Sequence, residues 1–274
     1  MKKILGAIAA LAMTVGLAAC GTPASQGTAN QNQLVVGMEA GYPPFNWTQK
    51  DDSNGAVKIQ GTDQYAGGYD VEIAKRVAKQ LGKELVIVKT EWDGLTPALV
   101  SGKIDAIIAG MSPTEERKAT IDFTDSYYDS QLVLVVKKGS KYANATSLAD
   151  FAGAKVTAQL NTFHYSVIDQ ITGVDKQAAM DNFPAMRVAL QAGTIDAYVS
   201  ELPEAISAQA ANSDFVMVKL TDGFKASPED TQTAVGVKKD SPLTKQINEA
   251  LKTISSEERQ QIMQEAIKNQ PAAE

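Results

Sequence analysis

The chain has 274 residues, with 26 Lys and Arg against 32 Asp and Glu, a formal net charge of −6. That mildly acidic balance argues against nucleic acid or an anionic membrane face as partner, because both recruit clustered cations. One cysteine and one histidine leave no disulfide within a molecule and no thiolate or imidazole cluster for a metal.

In chain order, Met1-Lys2-Lys3 is a short basic segment, and Ile4 through Leu17 is apolar or small and uncharged. These are the first two regions of a secretory signal, shorter than the roughly 20 apolar residues of a membrane span. The segment ends Leu17-Ala18-Ala19-Cys20-Gly21, which resembles a bacterial lipobox. In signals of that kind cleavage precedes the Cys, whose thiol carries a diacylglyceryl group. Cys20 is therefore the expected lipidation site, its acyl chains anchoring at roughly 0.8 kcal/mol per buried CH₂. Residues 21–33 are small, polar and uncharged and bury too little surface to fold. The expected division is a signal over 1–19 and a tether over 20–33.

The remaining stretch of about 240 residues suffices for one large or two medium domains. Leu34–Met38 is a short apolar run of strand type. Asp70–Leu81 is helical, with Ile73, Ala74, Val77, Ala78 and Leu81 on one face and Gly82 as a stop. Glu84–Val88 is a strand, Leu95–Val100 continues a short helix closed by Gly102, and Asp105–Ala109 is a buried strand. This alternation predicts a parallel sheet covered by helices. The pattern restarts with strands at Gln131–Val136, Ala154–Ala158, Asp196–Ser200, Phe215–Leu220 and Ala234–Lys238. Helices are expected around Ser147–Phe151, Thr162–Ile171, Pro184–Ala192 and Pro203–Ala211. Pro242–Lys268 is amphipathic helix interrupted near Ser255-Ser256. No Pro/Gly linker separates the halves, which fits two α/β lobes joined by paired crossing strands.

Four stretches carry chemistry. Gly37–Trp47 leaves the first strand and presents aromatics on a Pro-stiffened loop, where α/β sheets bind ligands; covering the core is the competing role. Ser112-Pro113-Thr114-Glu115 has capping-box spacing, which alone makes Ser112 an N-cap. Arg117 lies in the first turns of that helix, where the macrodipole disfavours a cation. There it suits bidentate capture of a carboxylate, or a surface ion pair with Glu115 or Glu116. Gln159–His164 follows a strand and opens a helix, offering N–H groups and the Thr162 hydroxyl to an anion. His164 has no second His or Cys to complete a metal site, and lone histidines are more often structural. Asp196–Glu201 sets a carboxylate just past a strand end, suited to an ammonium group or to capping the next helix.

Taken together, these stretches resemble the polar amino-acid binding proteins of bacterial ABC importers, the family of histidine, arginine, glutamine and cystine receptors. The resemblance spans Leu34 to the final helix. Its motifs are the Tyr42-Pro43-Pro44-Phe45 loop, Gly67–Ala74, Trp92–Leu95, Asp105-Ala106, Ser112–Arg117 and Ile121–Thr124. It implies a two-lobe α/β fold of the periplasmic-binding-protein type II, each lobe a mostly parallel sheet flanked by helices. Lobe 1 is expected over 34–128 plus 235–270 and lobe 2 over 129–234. By the same resemblance, Arg117 with Thr162 would clamp an α-carboxylate. Ser112, the Gly110 carbonyl and Glu201 would hold the α-ammonium group. Tyr42, Phe45 and Trp92 would sandwich the side chain, with Glu39 at its polar end and Met111, Asn161 and Phe163 in the same lining. Many family members have Asp at the position of Glu201, and Gly or Gly-Ser where this chain has Asn161. The expected ligand is a free L-amino acid, cationic (Arg, Lys or His) on charge complementarity, with cystine or glutamine as the alternative. A sensory binding domain and a dehydratase-like enzyme on the same fold are the rival functions. No catalysis and no cofactor are expected. The expected partners are importer permease and ATPase subunits. The protein is expected as a monomer on the outer side of a Gram-positive cell membrane, held by its lipid alone.

Overall fold

Leu34, Val36 and Met38 are fully buried on the first strand, β1 (Gln33–Met38), and their alternation faces one side of a sheet toward the core. The computed structural model describes residues 32–271. The expected signal, Cys20 and the tether as far as residue 31 lie outside the described residues. Gln33 already belongs to β1.

A small antiparallel sheet follows, from β2 (Gly41–Tyr42), β3 (Asn46–Gln49), β4 (Val57–Lys58) and β5 (Tyr65–Gly67), in the order β2-β3-β5-β4. The helix predicted from apolar spacing is α1 (Tyr69–Gln80), which buries Ile73, Ala74, Val77 and Ala78. After β6 (Glu84–Lys89), α2 (Trp92–Ser101) starts three residues before the expected Leu95 and leaves through Gly102 at φ 81°, a left-handed cap that suits glycine. β7 (Ala106–Ile107), α3 (Glu115–Lys118) and β8 (Asp122–Asp129) complete this half.

The second half runs β9 (Leu132–Lys137), β10 (Lys155–Thr157), α4 (Phe163–Val167), β11 (Asp175–Lys176), α5 (Phe183–Ala192), β12 (Ala197–Glu201), α6 (Leu202–Ala211) and β13 (Phe215–Val218). The expected helix over 147–151 is a 3-10 turn at Leu148–Phe151. The one over 162–171 divides into α4 and a 3-10 turn, Ile168–Gln170. After α7 (Pro228–Thr231), β14 (Gln232–Val237) returns to the first half, and α8 (Leu243–Lys252) and α9 (Ser256–Asn269) break at Ser255 as expected.

The two large sheets share one topology, β6-β1-β7-β14-β8 and β11-β10-β12-β9-β13. In each, three strands pair in parallel, and the strand arriving from the other half, β14 or β9, runs reversed beside them. This is the two-lobe α/β fold that the sequence predicts. The chain crosses between sheets at Ser130-Gln131 and again over residues 219–231. Ser130 N–H donates to the Thr231 carbonyl at 3.0 Å, so the crossings lie side by side. Along β9 and β12 the pleat divides the core: Val133, Val135 and Tyr198 join the cluster of the first sheet, while Leu134, Val136, Ala197 and Val199 build a second one. Among the described residues no helix is long and apolar enough to cross a membrane.

One buried acid ties these elements to the cleft between the sheets. Asp70, at the start of α1, is completely buried. It accepts from the Tyr127 hydroxyl at 2.7 Å and from Asn46 Nδ2 at 2.7 Å, and Tyr127 in turn accepts from Gly110 N–H at 3.1 Å. Burial outweighs these bonds and pushes the carboxyl up from 3.8 to about 7. A carboxyl raised on folding stabilises the native state only while protonated, so its contribution is whole below the unfolded value and is lost as pH rises to the folded one. Asp70→Asn keeps one acceptor for Tyr127, and its amide can meet Asn46 Oδ1, which has no partner. We expect it to flatten the stability loss between pH 4 and 7 by up to about 4 kcal/mol. Urea unfolding across that window measures the slope; an unchanged slope would refute the assignment.

Candidate functional site

The carboxyl ends of the parallel strands of both sheets point into one cleft, where sheets of this kind bind ligands. β1 ends and turns into Glu39, which is buried. Its Oε2 accepts from Gln159 Nε2, beyond β10, at 3.2 Å, while Oε1 has no partner. Burial, aided by Glu91 and Asp93 and opposed by Gln159 and Lys89, pushes this carboxyl up to about 7.

Tyr42 ends β2 and lies between two rings. It stacks on Phe45 at 4.9 Å and on Phe183, the first residue of α5, at 4.5 Å. Its hydroxyl donates to Glu201 Oε2 at 3.2 Å, and burial together with Glu201 holds the phenol well above its usual value. Phe45 is fully buried behind Tyr42, edge-on to Tyr69 and Tyr128. It backs the cleft instead of lining it, and Phe183 from the second sheet supplies the facing ring.

Arg117 occupies the third position of α3. Nη1 donates to the Ser112 carbonyl at 2.9 Å and Nη2 to the Asn161 carbonyl at 3.1 Å. The guanidinium lies 5.1 Å from the centre of the Trp92 ring, a cation–π distance. Burial pulls its pKa down to about 10, so it stays charged at neutral pH. The cap of α3 is Thr114, whose Oγ1 accepts from Arg117 N–H at 3.4 Å. Ser112 is therefore not the N-cap that the spacing suggests: Thr114 is the extended residue before the helix, and the Ser112 hydroxyl donates to the Asp230 carbonyl at 2.9 Å.

Asn161 joins the two sides. Its backbone is left-handed at φ 54°, a conformation that Asn tolerates better than most residues. Its carbonyl takes Arg117 and also Trp92 Nε1, at 3.4 Å, and its Nδ2 reaches Asp93 Oδ1 on α2 at 2.9 Å. The Thr162 hydroxyl turns back onto the Gln159 carbonyl at 2.7 Å. Glu201 ends β12 and precedes α6, yet it makes no side-chain cap bond. Its Oε1 lies 3.3 Å from His164 Nε2.

Tyr42, Trp92, Gly110, Ser112 and Arg117 from one side, and Gln159, Thr162, Phe163, His164 and Phe183 from the other, line a narrow gap of about 310 Å³ with open solvent included. Glu39 and Glu201 lie beneath this lining. A wider cavity of about 1330 Å³, open solvent included, shares Trp92, Arg117, Thr162 and Phe163 and adds Asp93, Met111 and Asn161. Sequence reasoning gave no role to Gln159, His164, Phe183 or Asp93. Gln159 and His164 belong to a stretch it singled out, and Asn182-Phe183-Pro184 carries a helix-start signal, with Asn182 capping Ala185 at 2.9 Å. Neither signal shows which way a side chain faces.

The family model of the bacterial extracellular solute-binding proteins, family 3, matches residues 34–269. The chain is 30% identical over 254 residues to the arginine-binding extracellular protein ArtP of Bacillus subtilis (strain 168), covering 92% of each. It is 30% identical over 255 residues to the L-cystine-binding protein TcyJ of Escherichia coli (strain K12), covering 91% of this chain and 89% of that one. Among solved structures, an amino acid ABC transporter substrate-binding protein from Streptococcus pneumoniae Canada MDR_19A bound to L-arginine matches with a TM-score of 0.77 at 26% identity. That match covers 87% of this chain and 95% of the other.

Gly110 shows how tightly the cleft is built. Its φ is 62°, and a Cβ there would meet Tyr42 Cε1 at 2.7 Å. Gly110→Ala is expected to cost roughly 1–3 kcal/mol of stability through strain and overpacking, whereas Tyr42→Phe keeps both ring stacks. Urea unfolding of the two variants checks this; an alanine as stable as glycine would mean that Tyr42 is free to move.

Proposed function

The chain belongs to the bacterial extracellular solute-binding proteins of family 3, and from that premise we infer that it captures a free polar L-amino acid for an ABC importer and catalyses nothing. In this reading it works outside the cytoplasmic membrane as a monomer, held there by acyl chains on Cys20. The two lobes close on the ligand, and the permease and ATPase subunits respond to the closed form.

The observation that carries the reading is a half-buried guanidinium lining one small cavity between two sheets, with buried carboxyl groups directly beneath it. Arg117 suits the α-carboxylate, which would take over the donor now given to the Asn161 carbonyl; Thr162 lies beside it. Glu201, the Ser112 hydroxyl oxygen and the Gly110 carbonyl suit the α-ammonium group. Tyr42, Trp92 and Phe183 surround the side chain, with Phe45 behind and Met111 and Phe163 at the edges. Glu39 and Gln159 meet its far end.

The charges favour a cationic side chain. A zwitterion satisfies Arg117 and Glu201 and leaves Glu39 with an unpartnered oxygen and no cation in contact. A neutral polar side chain, as in glutamine or cystine, is the second reading. The Gln159 amide and a Glu39 carboxyl near pH 7 can together both donate and accept.

Calorimetry of the purified protein against the twenty amino acids and cystine tests the function. We expect one chemical class to bind, and a micromolar Kd would correspond to about 8 kcal/mol. Absence of binding to every one of them would end the proposal. Arg117→Ala should weaken binding by about 2–5 kcal/mol, as for other truncated buried charge partners.

The same titrations separate the two ligand classes. A cation beside Glu39 lowers its raised pKa, so binding at pH 7 releases up to about half a proton and tightens as pH rises through 7. Glu39→Gln abolishes that release. A neutral ligand shows no release and binds Glu39→Gln nearly as well as the wild type.

A further inference from the structure

His164 is 8% exposed, on the first turn of α4, with its ring edge-on to Phe183 at 6.4 Å. Neither ring nitrogen has a hydrogen-bond partner, and neither does Glu201 Oε1. Nε2 and Oε1 are 3.3 Å apart, close enough to interact but not aligned as a hydrogen bond. Buried polar atoms are almost always paired; His164 lines the cavity and Glu201 lies directly beneath it. The other groups around the pair are engaged. Tyr42 donates to Glu201 Oε2, Gln159 donates to Glu39 and to the Asp181 carbonyl, and Arg117 faces the cavity on the Ser112 and Asn161 carbonyls. Glu204, on the same helix start as Glu201, is held by Arg187, Tyr198 and Ser200.

We propose that His164 is a specificity-determining member of the ammonium receptor, sharing Glu201 with the amino group of the ligand. The proposal rests on the amino-acid-binding reading above. A neutral imidazole has one N–H and one lone pair. With no ligand bound, Nε2 carries the hydrogen and steadies Glu201 Oε1. An ammonium group that reaches Oε1 also reaches Nε2, where it needs a lone pair. Binding therefore moves the hydrogen to Nδ1 through solvent exchange, and the ring loses and gains one proton with no net change. An amine without an N–H to donate, or without charge, cannot satisfy both atoms. The site thus selects a free primary α-ammonium group against N-acylated and N-trimethylated amino acids.

The chain has a single histidine, so its imidazole ¹⁵N signals are unambiguous and report which nitrogen carries the hydrogen. At pH 8 we expect the Nε2–H form without ligand and the Nδ1–H form when the amino acid identified by calorimetry is saturating. The same form in both states would overturn the proposal while leaving amino-acid binding intact; no binding at all would remove the function and this proposal with it. His164→Gln keeps both a donor and an acceptor. It should bind within about threefold of wild type at pH 8. Equal affinity for the free and the N-trimethylated ligand in the wild type would also overturn the proposal. His164→Ala should lose about tenfold at pH 8, the size of one hydrogen bond to a charged group.

Discussion

Tyr42 must satisfy both sheets at once. Its ring is stacked on Phe45 from its own side and on Phe183 from the other, and its hydroxyl ends on Glu201. A ring fixed at both faces and at its tip leaves little freedom to its neighbours. Gly110 has to lack a side chain because the ring edge occupies the place of its Cβ. The Gly110 amide is fixed by Tyr127 and, through it, by Asp70. The strand end that carries Gly110 is thus held from below by a buried hydrogen-bond chain and from above by an aromatic ring.

The same burial that fixes the geometry sets the charges. Glu39 and Asp70 are each pushed up to about 7 by desolvation, while the Tyr42 phenol is driven well above its usual value and remains a neutral donor. Arg117 is pulled down to about 10 yet keeps its charge. The cleft therefore holds the charged Arg117 and, in Glu39, a carboxyl that desolvation keeps near its protonation point. Within a medium of low polarity such groups interact strongly with any charge brought among them. A ligand carrying both signs fits that field better than an anion or an apolar molecule does.

Much of this architecture was legible in the sequence. The 3–4 spacing of Ile73, Ala74, Val77 and Ala78 gave α1, and short apolar runs gave β1, β9 and β12. The break at Ser255-Ser256 separated the last two helices. What escaped has a physical reason. Asp122–Asp129 reads Asp-Phe-Thr-Asp-Ser-Tyr-Tyr-Asp, too polar to signal a strand, because β8 is an edge strand. The short strands β2 to β5 are stabilised by pairing with each other, which no local pattern reveals. In the cleft, residues that resemble a family motif were found by that resemblance, and all of them except Phe45 lie in or against the lining. Phe183, Gln159 and His164 acquire their positions only when the second sheet faces the first. Ser112 shows the opposite error: its spacing matched a cap, but Thr114 lies closer to the helix and takes that place.

The contacts across the cleft differ in kind from those within each half. Within a half, strands pair along whole ladders. At the cleft itself the halves meet through the Tyr42–Phe183 stack and single hydrogen bonds: Tyr42 to Glu201, Gln159 to Glu39, Arg117 and Trp92 to the Asn161 carbonyl, and Asn161 to Asp93. Each contributes about 1 kcal/mol net, because water replaces it when the halves part. In the reading proposed above, contacts of this size can part and re-form, and a ligand bridging Arg117 and Glu201 would favour a closed form through its differential affinity for it. The Ser130 N–H to Thr231 carbonyl bond holds the two crossings together where such a movement would hinge.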